Sequence, residues 1–496
     1  MNILFASSEA YPLVKTGGLA DVAGALPIAL AKAGIGVRLI LPAYPEVLGR
    51  ANDITTVAEF PGMLAGHDVR LLAARMPDSD LPLLLVECQA LFERHGGPYT
   101  DDAGNDWPDN HLRFAIFSLT AAWVAAGAAG ETWRADILHA NDWQTGLAPA
   151  YLRFIGAPNT RSVFTIHNMR YQGLFPQSVM GDLEVPRFAF TMEGMEFHGQ
   201  VSMLKAGLAF ADRIATVSPT YADEILMPEF GYGMEGLLSA RRRDLTGILN
   251  GIDETAWNPL TDRHLPAHFD SGDLTGKAVC KIALQQEMGL AEDPDAPLLT
   301  MVTRLTEQKG IDLVVSALPE MIGMGAQIAI LGAGDAHWEH ALRDMQAPHG
   351  RVAARIGYDE ALAHRLVAGA DMFLMPSRFE PCGLTQMYAM RYGTLPVVNR
   401  TGGLADTVMQ AQVAATGNDA SGTGFVFEMS EPGALAGALQ QGVALHKNKA
   451  AWLSLQRCAM HRDFSWARAA DDYGWIYRTL APHAVASSAN HSGETA

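Results

Sequence analysis

Asn2-Ile3-Leu4-Phe5-Ala6-Ser7, followed a few residues on by Lys15-Thr16-Gly17-Gly18-Leu19-Ala20-Asp21-Val22, decides the fold of the first half of the chain. A short apolar run that ends in small residues is how a strand buried on both faces looks. A glycine-rich turn then opens a helical stretch, Leu19–Ala33. Strand, glycine turn and helix are the first half of a βαβ unit, and the turn falls at the carboxyl end of the strand, where open α/β sheets bind ligands. Gly17 and Gly18 allow close backbone approach, and Lys15 offers a mobile cation suited to a diphosphate. On these residues alone, a surface lysine beside a structural turn is an equal reading.

Working outward, similar apolar runs recur at Val37–Leu41, Leu83–Val86, Ile137–His139, Val163–Ile166 and Ile214–Val217, with a helical stretch at His111–Ala129. The pattern pauses after Asn250-Gly251-Ile252-Asp253 and restarts at Leu298–Thr303, Gln327–Leu331, Val352–Ile356, Met372–Met375 and Leu395–Val398. Alternating strands and helices predict parallel sheets covered on both faces. The expected architecture is α/β, with two doubly wound, Rossmann-like domains facing a cleft. The boundaries are 1–252, 253–461, a C-terminal helix within 462–481, and a small, polar, disordered tail at 482–496. The glycine turn has an echo, Arg400-Thr401-Gly402-Gly403-Leu404-Ala405-Asp406, which predicts a shared phosphate- or sugar-facing geometry in the two halves.

Composition bounds the function. The 496 residues are 49% hydrophobic and 18% charged, with a formal net charge of −18. Such an acidic chain is a poor partner for nucleic acid or an anionic membrane. The four cysteines, Cys88, Cys280, Cys382 and Cys458, form no CxxC pair, so neither a disulfide framework nor a zinc cluster is expected and a reducing cytoplasm fits. Met1–Pro12 lacks a basic start, and Glu9 interrupts its apolar stretch, so it does not read as a signal peptide. Ala115–Gly130 carries Ser118 and Thr120 and reads as a buried helix rather than a membrane span.

The segment Arg378-Phe379-Glu380-Pro381-Cys382-Gly383-Leu384-Thr385 is the richest in chemistry. Pro381 fits a first helical turn, which would leave the N–H groups of Cys382, Gly383, Leu384 and Thr385 available to a phosphate. Glu380 would accept from sugar hydroxyls and stabilise positive charge at an anomeric carbon; a helix-capping carboxylate is the plainer alternative. Arg304 and Lys309, on a strand-to-helix loop, suit a pyrophosphate, or else form a solvated basic loop. His139-Ala140-Asn141-Asp142-Trp143 and Thr165-Ile166-His167-Asn168 both end strands; His167 reads equally well as a satisfied core histidine. Asp293-Pro294-Asp295 imitates a metal-binding DxD in a proline turn, and Gly332-Ala333-Gly334 an incomplete dinucleotide fingerprint; neither is expected to bind.

Taken in order, these segments and Leu249-Asn250-Gly251-Ile252-Asp253 resemble the bacterial glycogen synthases and plant starch synthases over about Met1–Leu480. That resemblance implies two Rossmann-like domains of the GT-B type and a retaining transfer of glucose from ADP-glucose to the non-reducing 4-hydroxyl of an α-1,4-glucan such as glycogen. It implies that Lys15, Gly17 and Gly18 approach the donor, and that Asp21, Tyr99 and Asn250 line the donor sugar. Arg304 and Lys309 would hold the phosphates with the amides around Gly383–Thr385, and Tyr358 would lie near the nucleoside. Glu380 and His167 would flank the transferred glucose, Asp142 would stand at the donor–acceptor junction, and the last helix would cross back to the first domain. No metal and no pyridoxal phosphate is expected, which separates this reading from a glucan phosphorylase; the retained Lys15, Arg304, Lys309 and Glu380 separate it from an inactive glucan-binding protein. Two departures stand out: Asn141 and Gln144 where the family shows histidine, and Tyr388 where many related transferases carry a second glutamate eight positions after the first.

Overall fold

The computed structural model describes residues 1–128, 133–346, 350–413, 419–428 and 430–482. The chain divides into two compact units, Met1–Gly251 with Trp466–Ala496, and Ile252–Ser465. The tail expected to be disordered lies, past residue 482, outside the described residues.

The first unit holds a nine-stranded sheet. Its strands are β1 (Asn2–Ala6), β2 (Gly36–Pro42), β3 (Asn52–Met63), β4 (His67–Arg75), β5 (Pro82–Glu87), β6 (Ile137–Asn141), β7 (Arg161–Ile166), β8 (Arg213–Thr216) and β9 (Leu245–Gly247), in spatial order β9-β8-β7-β6-β1-β2-β5-β4-β3. All pairings are parallel except β5 with β4 and β4 with β3, which make an antiparallel edge. β1 is the switch point: it pairs with β2 on one side and β6 on the other, with Phe5 beside both Leu39 and His139. The run Ile3–Ala6 is wholly buried, as a strand covered on both faces must be. Helix α1 (Gly18–Lys32) follows β1, and α2 (Asn110–Ala125) is shorter than the His111–Ala129 reading; Ala129 lies outside the described residues.

The C-terminal helix, Trp466–Leu480, belongs to this first unit and packs on α1. Two tyrosines one turn apart lock it in place. Tyr477 OH bonds His139 Nδ1 at 2.7 Å, and Tyr473 OH lies 3.4 Å from Thr165 Oγ1, which itself lies 2.7 Å from His139 Nε2. Burial holds His139 down at about 3, so it is a neutral core histidine with both nitrogens satisfied.

The second unit has six parallel strands: β10 (Leu298–Val302), β11 (Gln327–Gly332), β12 (Val352–Ile356), β13 (Met372–Met375), β14 (Leu395–Asn399) and β15 (Phe425–Phe427). Their order is β12-β11-β10-β13-β14-β15, which is the doubly wound pattern with its switch point between β10 and β13. Helices α3 (Ile311–Gly323), α4 (Glu360–Gly369), α5 (Thr385–Arg391) and α6 (Gly402–Thr407) follow β10, β12, β13 and β14. Gly332 and Gly334 serve this packing, since a Cβ at either would lie 2.0 or 2.4 Å from the carbonyl oxygen of Thr303 or Leu305.

Candidate active site

In the second unit, the loops that leave β10 and β13 are stitched together at the switch point. Gly310 has φ +71, and a Cβ there would meet Pro376 O at 2.2 Å, so the two loops approach as only glycine permits. Arg378 forks onto Asp312 at 2.7 and 2.6 Å and donates to Glu307 O at 2.6 Å, while its own N–H reaches Gln308 O at 2.9 Å. This brings two residues read separately from sequence into one ion pair: Lys309 Nζ lies 2.6 Å from Glu380 Oε2. Ser377 Oγ donates to the same oxygen at 2.9 Å. Glu380 is buried, and its main-chain carbonyl accepts from Gly403 N at 3.1 Å. Its backbone is therefore fixed from below while its side chain meets the cation.

Arg304 follows β10 and is exposed, and Tyr358 follows β12 with 79% exposure. The Tyr358 hydroxyl donates to Glu360. The stretch after Glu380 departs from the reading that put Pro381 in a first helical turn. α5 begins at Thr385, and Gly383 takes φ +71 in the preceding turn, a conformation that favours glycine. The amides of Gly383, Leu384 and Thr385 still precede or open a helix, beyond reach of intrahelical carbonyls. Cys382 is buried beside them. Tyr388, at the place of a second glutamate, stacks on Trp257 (3.9 Å, 5°), which stacks on His364 (3.7 Å, 10°). Trp257 is thus sandwiched between the rings of Tyr388 and His364.

In the first unit, the predicted residues collect at the carboxyl ends of β1, β6 and β7. Lys15 Nζ pairs with Asp21 Oδ1 at 2.8 Å, a half-exposed bridge across the turn into α1. A Cβ on Gly17 or Gly18 would meet nothing within 4 Å, and Gly17 is extended (φ −152), so neither packing nor backbone conformation demands glycine there. Asp142, directly after β6, has φ +61 and ψ −178, a region that costs a non-glycine residue about 1–3 kcal/mol. Its carboxylate accepts from Trp143 N at 3.0 Å, and burial, reinforced by nearby Glu9, pushes it up to about 8. A strained, buried acid kept protonated near neutrality is the kind of group that gathers at functional sites.

His167 follows β7 and is held by Asn141: Nε2 lies 3.0 Å from Asn141 Oδ1. Asn141 Nδ2 donates to Ala6 O at 3.1 Å and His139 O at 3.4 Å, which leaves Oδ1 as the acceptor. His167 therefore carries its proton on Nε2 and presents Nδ1 as an acceptor, and burial holds it neutral, at about 3. Asn141, marked in the sequence only as a departure from the family's histidine, orients His167. Asn250 is buried shortly after β9. Tyr99, expected to line the donor, donates to Glu9 Oε1 at 3.1 Å and lies 2.8 Å from Ser8 Oγ. Sequence reasoning missed Glu9 and Ser377. The only signal for Glu9 was a lone acid in an apolar stretch, and Ser377 had none.

Among the described residues no group of three or more His, Cys, Asp or Glu is placed to hold a metal ion. Asp293 closes a turn by accepting from the amides of Asp295 (3.0 Å) and Ala296 (3.1 Å), as the loop reading expects. No helix among the described residues is long and apolar enough to cross a membrane.

Comparison with known proteins gives this geometry its context. Residues 2–240 match the family model for the starch synthase catalytic domain, and residues 296–444 match glycosyl transferases group 1. A glycogen synthase of Paramagnetospirillum magneticum is 52% identical over 97% of this chain and 98% of its own, and one of Rhodospirillum rubrum is 51% identical with the same coverage. Among solved structures, the catalytic domain of starch synthase IV from Arabidopsis thaliana, bound to ADP and acarbose, superposes with a TM-score of 0.86 at 32% identity, covering 97% of this chain and 99% of that one. A sucrose-phosphate synthase from Thermosynechococcus elongatus shares the fold (TM-score 0.58, 19% identity, 97% and 98% coverage). With an ion-paired glutamate at one switch point, a strained acid at the other, and relatives alike over nearly their whole length, the chain belongs to the glycogen synthase and starch synthase family of GT-B glycosyltransferases.

Proposed function

We propose that the chain transfers glucose from ADP-glucose to the 4-hydroxyl at the non-reducing end of an α-1,4-glucan, with retention at the anomeric carbon and release of ADP, in the cytoplasm. The observation that carries this is the 2.6 Å pair of Lys309 and Glu380, which sets a cation and a buried carboxylate side by side at a switch point. Breaking the bond from glucose C1 to the diphosphate puts negative charge on the phosphate and positive charge on C1. Lys309 and Arg304 meet the first, with the amides of Gly383–Thr385; Glu380 meets the second, and preformed charges of this kind need no reorganisation during reaction. Lys15, Gly17, Gly18, Asp21, Tyr99 and Asn250 serve the donor from the first unit, and Tyr358 offers its ring to the nucleoside. His167 and Asp142 serve the glucose and the acceptor. The acceptor oxygen attacks C1 on the face the diphosphate leaves, and the departing phosphate takes its proton. Neither a metal ion nor pyridoxal phosphate has a part in this scheme.

The test is a competition between labelled ADP-glucose and UDP-glucose on a glycogen primer, with excess chelator present. Label should enter glycogen from ADP-glucose with a much larger kcat/KM. Equal use of UDP-glucose overturns the donor assignment, and activity that returns only with added divalent metal overturns the cation-only scheme.

A further inference from the structure

Glu9 is buried, with 3% exposure, and lies just past β1. A carboxylate at such a place needs partners. Its Oε2 accepts from the backbone N–H of Thr16 and, at 3.2 Å, of Gly17; its Oε1 accepts from the Tyr99 hydroxyl. Burial pushes this carboxyl up from its ordinary value, and the two amides and the hydroxyl pull it back. The anion place formed by the amides of the glycine turn is thus filled from within the protein.

The loop between β1 and α1 is pinned at its other end by Tyr11 N, which donates to Ala20 O at 2.9 Å, and by Gly24, where a Cβ would meet Tyr11 O at 2.3 Å. Between those anchors the segment Lys15–Gly18 has open space beside both glycines. Its backbone is tied down by a side chain, Glu9, whose own orientation is set by Tyr99, itself bonded to Ser8 and packed against Phe114 and Trp143.

We propose that Glu9 is a positioning residue for the donor: its carboxylate fixes the Thr16–Gly17 amides, and so holds the Lys15 ammonium where the diphosphate is met, with Tyr99 as the strut that aims it. Glu9 touches no substrate in this scheme and acts through Lys15. The inference rests on the reading of the Lys15 loop as a donor-binding element. It also gives Tyr99, which the resemblance places beside the donor sugar, a second task, since its hydroxyl is committed to Glu9.

A double-mutant cycle on kcat/KM for ADP-glucose tests it, using Glu9→Ala, Lys15→Ala and the pair, each with a melting curve. A displaced cation costs about a hundredfold, so each single variant should lose about that much. The double variant should lose little more than either, because the second change removes what the first has already displaced. Losses that multiply, or a Glu9→Ala enzyme at full kcat/KM beside a damaged Lys15→Ala enzyme, overturn the positioning role. A Lys15→Ala enzyme at full kcat/KM instead overturns the reading of the loop itself. Should Glu9→Ala fail to fold, Glu9→Gln takes its place. Its amide oxygen still accepts from both N–H groups and its NH2 still meets the Tyr99 oxygen, so it should keep most of the activity, whereas Glu9→Leu should not. Equal activity of the Gln and Leu variants overturns the proposal.

Discussion

The chain writes Thr-Gly-Gly-Leu-Ala-Asp twice, at 16–21 and at 401–406, each time at the start of a helix that follows a strand. The two copies are packed in opposite ways. In the first, a Cβ on either glycine would meet nothing within 4 Å; in the second, it would lie 2.0 Å from Glu380 O at Gly402 and 2.1 Å from Cys382 O at Gly403. A glutamate serves both turns, by different atoms. Glu9 gives its carboxylate to the turn amides of the first, while Glu380 gives only its main-chain carbonyl to the second and keeps its carboxylate for Lys309. The same six residues leave open space beside their glycines in one unit and support the backbone of the ion-paired Glu380 in the other. The two turns therefore do not share one packing: the second closes on the Glu380 loop.

The largest effect that could break this contrast belongs to Gly403. In Gly403→Ala the new methyl must displace the backbone of Cys382, since the atoms it meets at 2.1 and 2.5 Å are backbone atoms. Overpacking of this kind costs about 1–3 kcal/mol, and a shifted Glu380 should lower kcat by about a hundredfold. Full kcat with normal melting would show that the second turn does not set Glu380.

The histidines of the two units contrast as sharply. His139 and His167 are held by burial at about 3, whereas burial of His364 is outweighed by its bonds to Asp262 and Glu360, which raise it. A histidine lowered in the fold contributes stability that is complete above its ordinary 6.5 and is lost as pH falls toward about 3. A raised one keeps its contribution throughout that acid range and loses it only as pH rises through its folded value. Asp262 is lowered by His364 and Tyr392, so its share persists down to its ordinary carboxylate value of 3.8. Asp142 of the same unit as the two lowered histidines, raised to about 8, gains as pH falls but offsets only part of what they lose. Between pH 6.5 and 4 the first unit should therefore lose protection from hydrogen exchange before the second. The reverse order would show that other groups govern acid stability.

Gly17→Ala should have a smaller effect, and one of a different kind. With open space and an extended backbone, folded stability should stay within about 0.5 kcal/mol. If a donor approaches the turn, the methyl intrudes on it, and kcat/KM for ADP-glucose should fall by about tenfold, worth about 1.4 kcal/mol, chiefly through KM. Unchanged kinetics would mean that the open space faces only water.

Much of this was legible in the sequence, for reasons that separate what was read from what was missed. Both Rossmann-like sheets announced themselves because parallel strands buried on two faces must be apolar throughout, as in Ile3–Ala6. The edge pair β3 and β4 went unread: Asn52–Met63 is largely exposed and contains Pro61, so no apolar run marks it. Glu380, Lys309 and Arg304 were legible as residues at the ends of strands, but not their pairing, because Lys309 and Glu380 are 71 positions apart and meet only through the β10–β13 crossover. Asn141 looked like a departure from a family pattern, and only geometry shows it fixing the tautomer of His167.

The cations that precede the two turns allow the finest test. Lys15 bridges to Asp21 within the first turn itself, with side-chain exposures of 37% and 23%. Arg400 instead reaches outward to Glu428 at 2.7 Å, with exposures of 51% and 71%. An ion pair so exposed is screened by water and salt and is worth about 0–1 kcal/mol. The Arg400 backbone N–H is already satisfied by Phe427 O at 2.9 Å, whatever the side chain. Arg400→Ala should therefore melt within about 0.5 kcal/mol of the parent and keep its kcat and its KM for ADP-glucose. That outcome would leave the second copy with a supporting task alone: its glycines carry the Glu380 turn, and its cation faces solvent. A clear loss of kcat/KM in a normally folded Arg400→Ala protein would instead give the second cation a share in the reaction and bring the two copies back toward a common role.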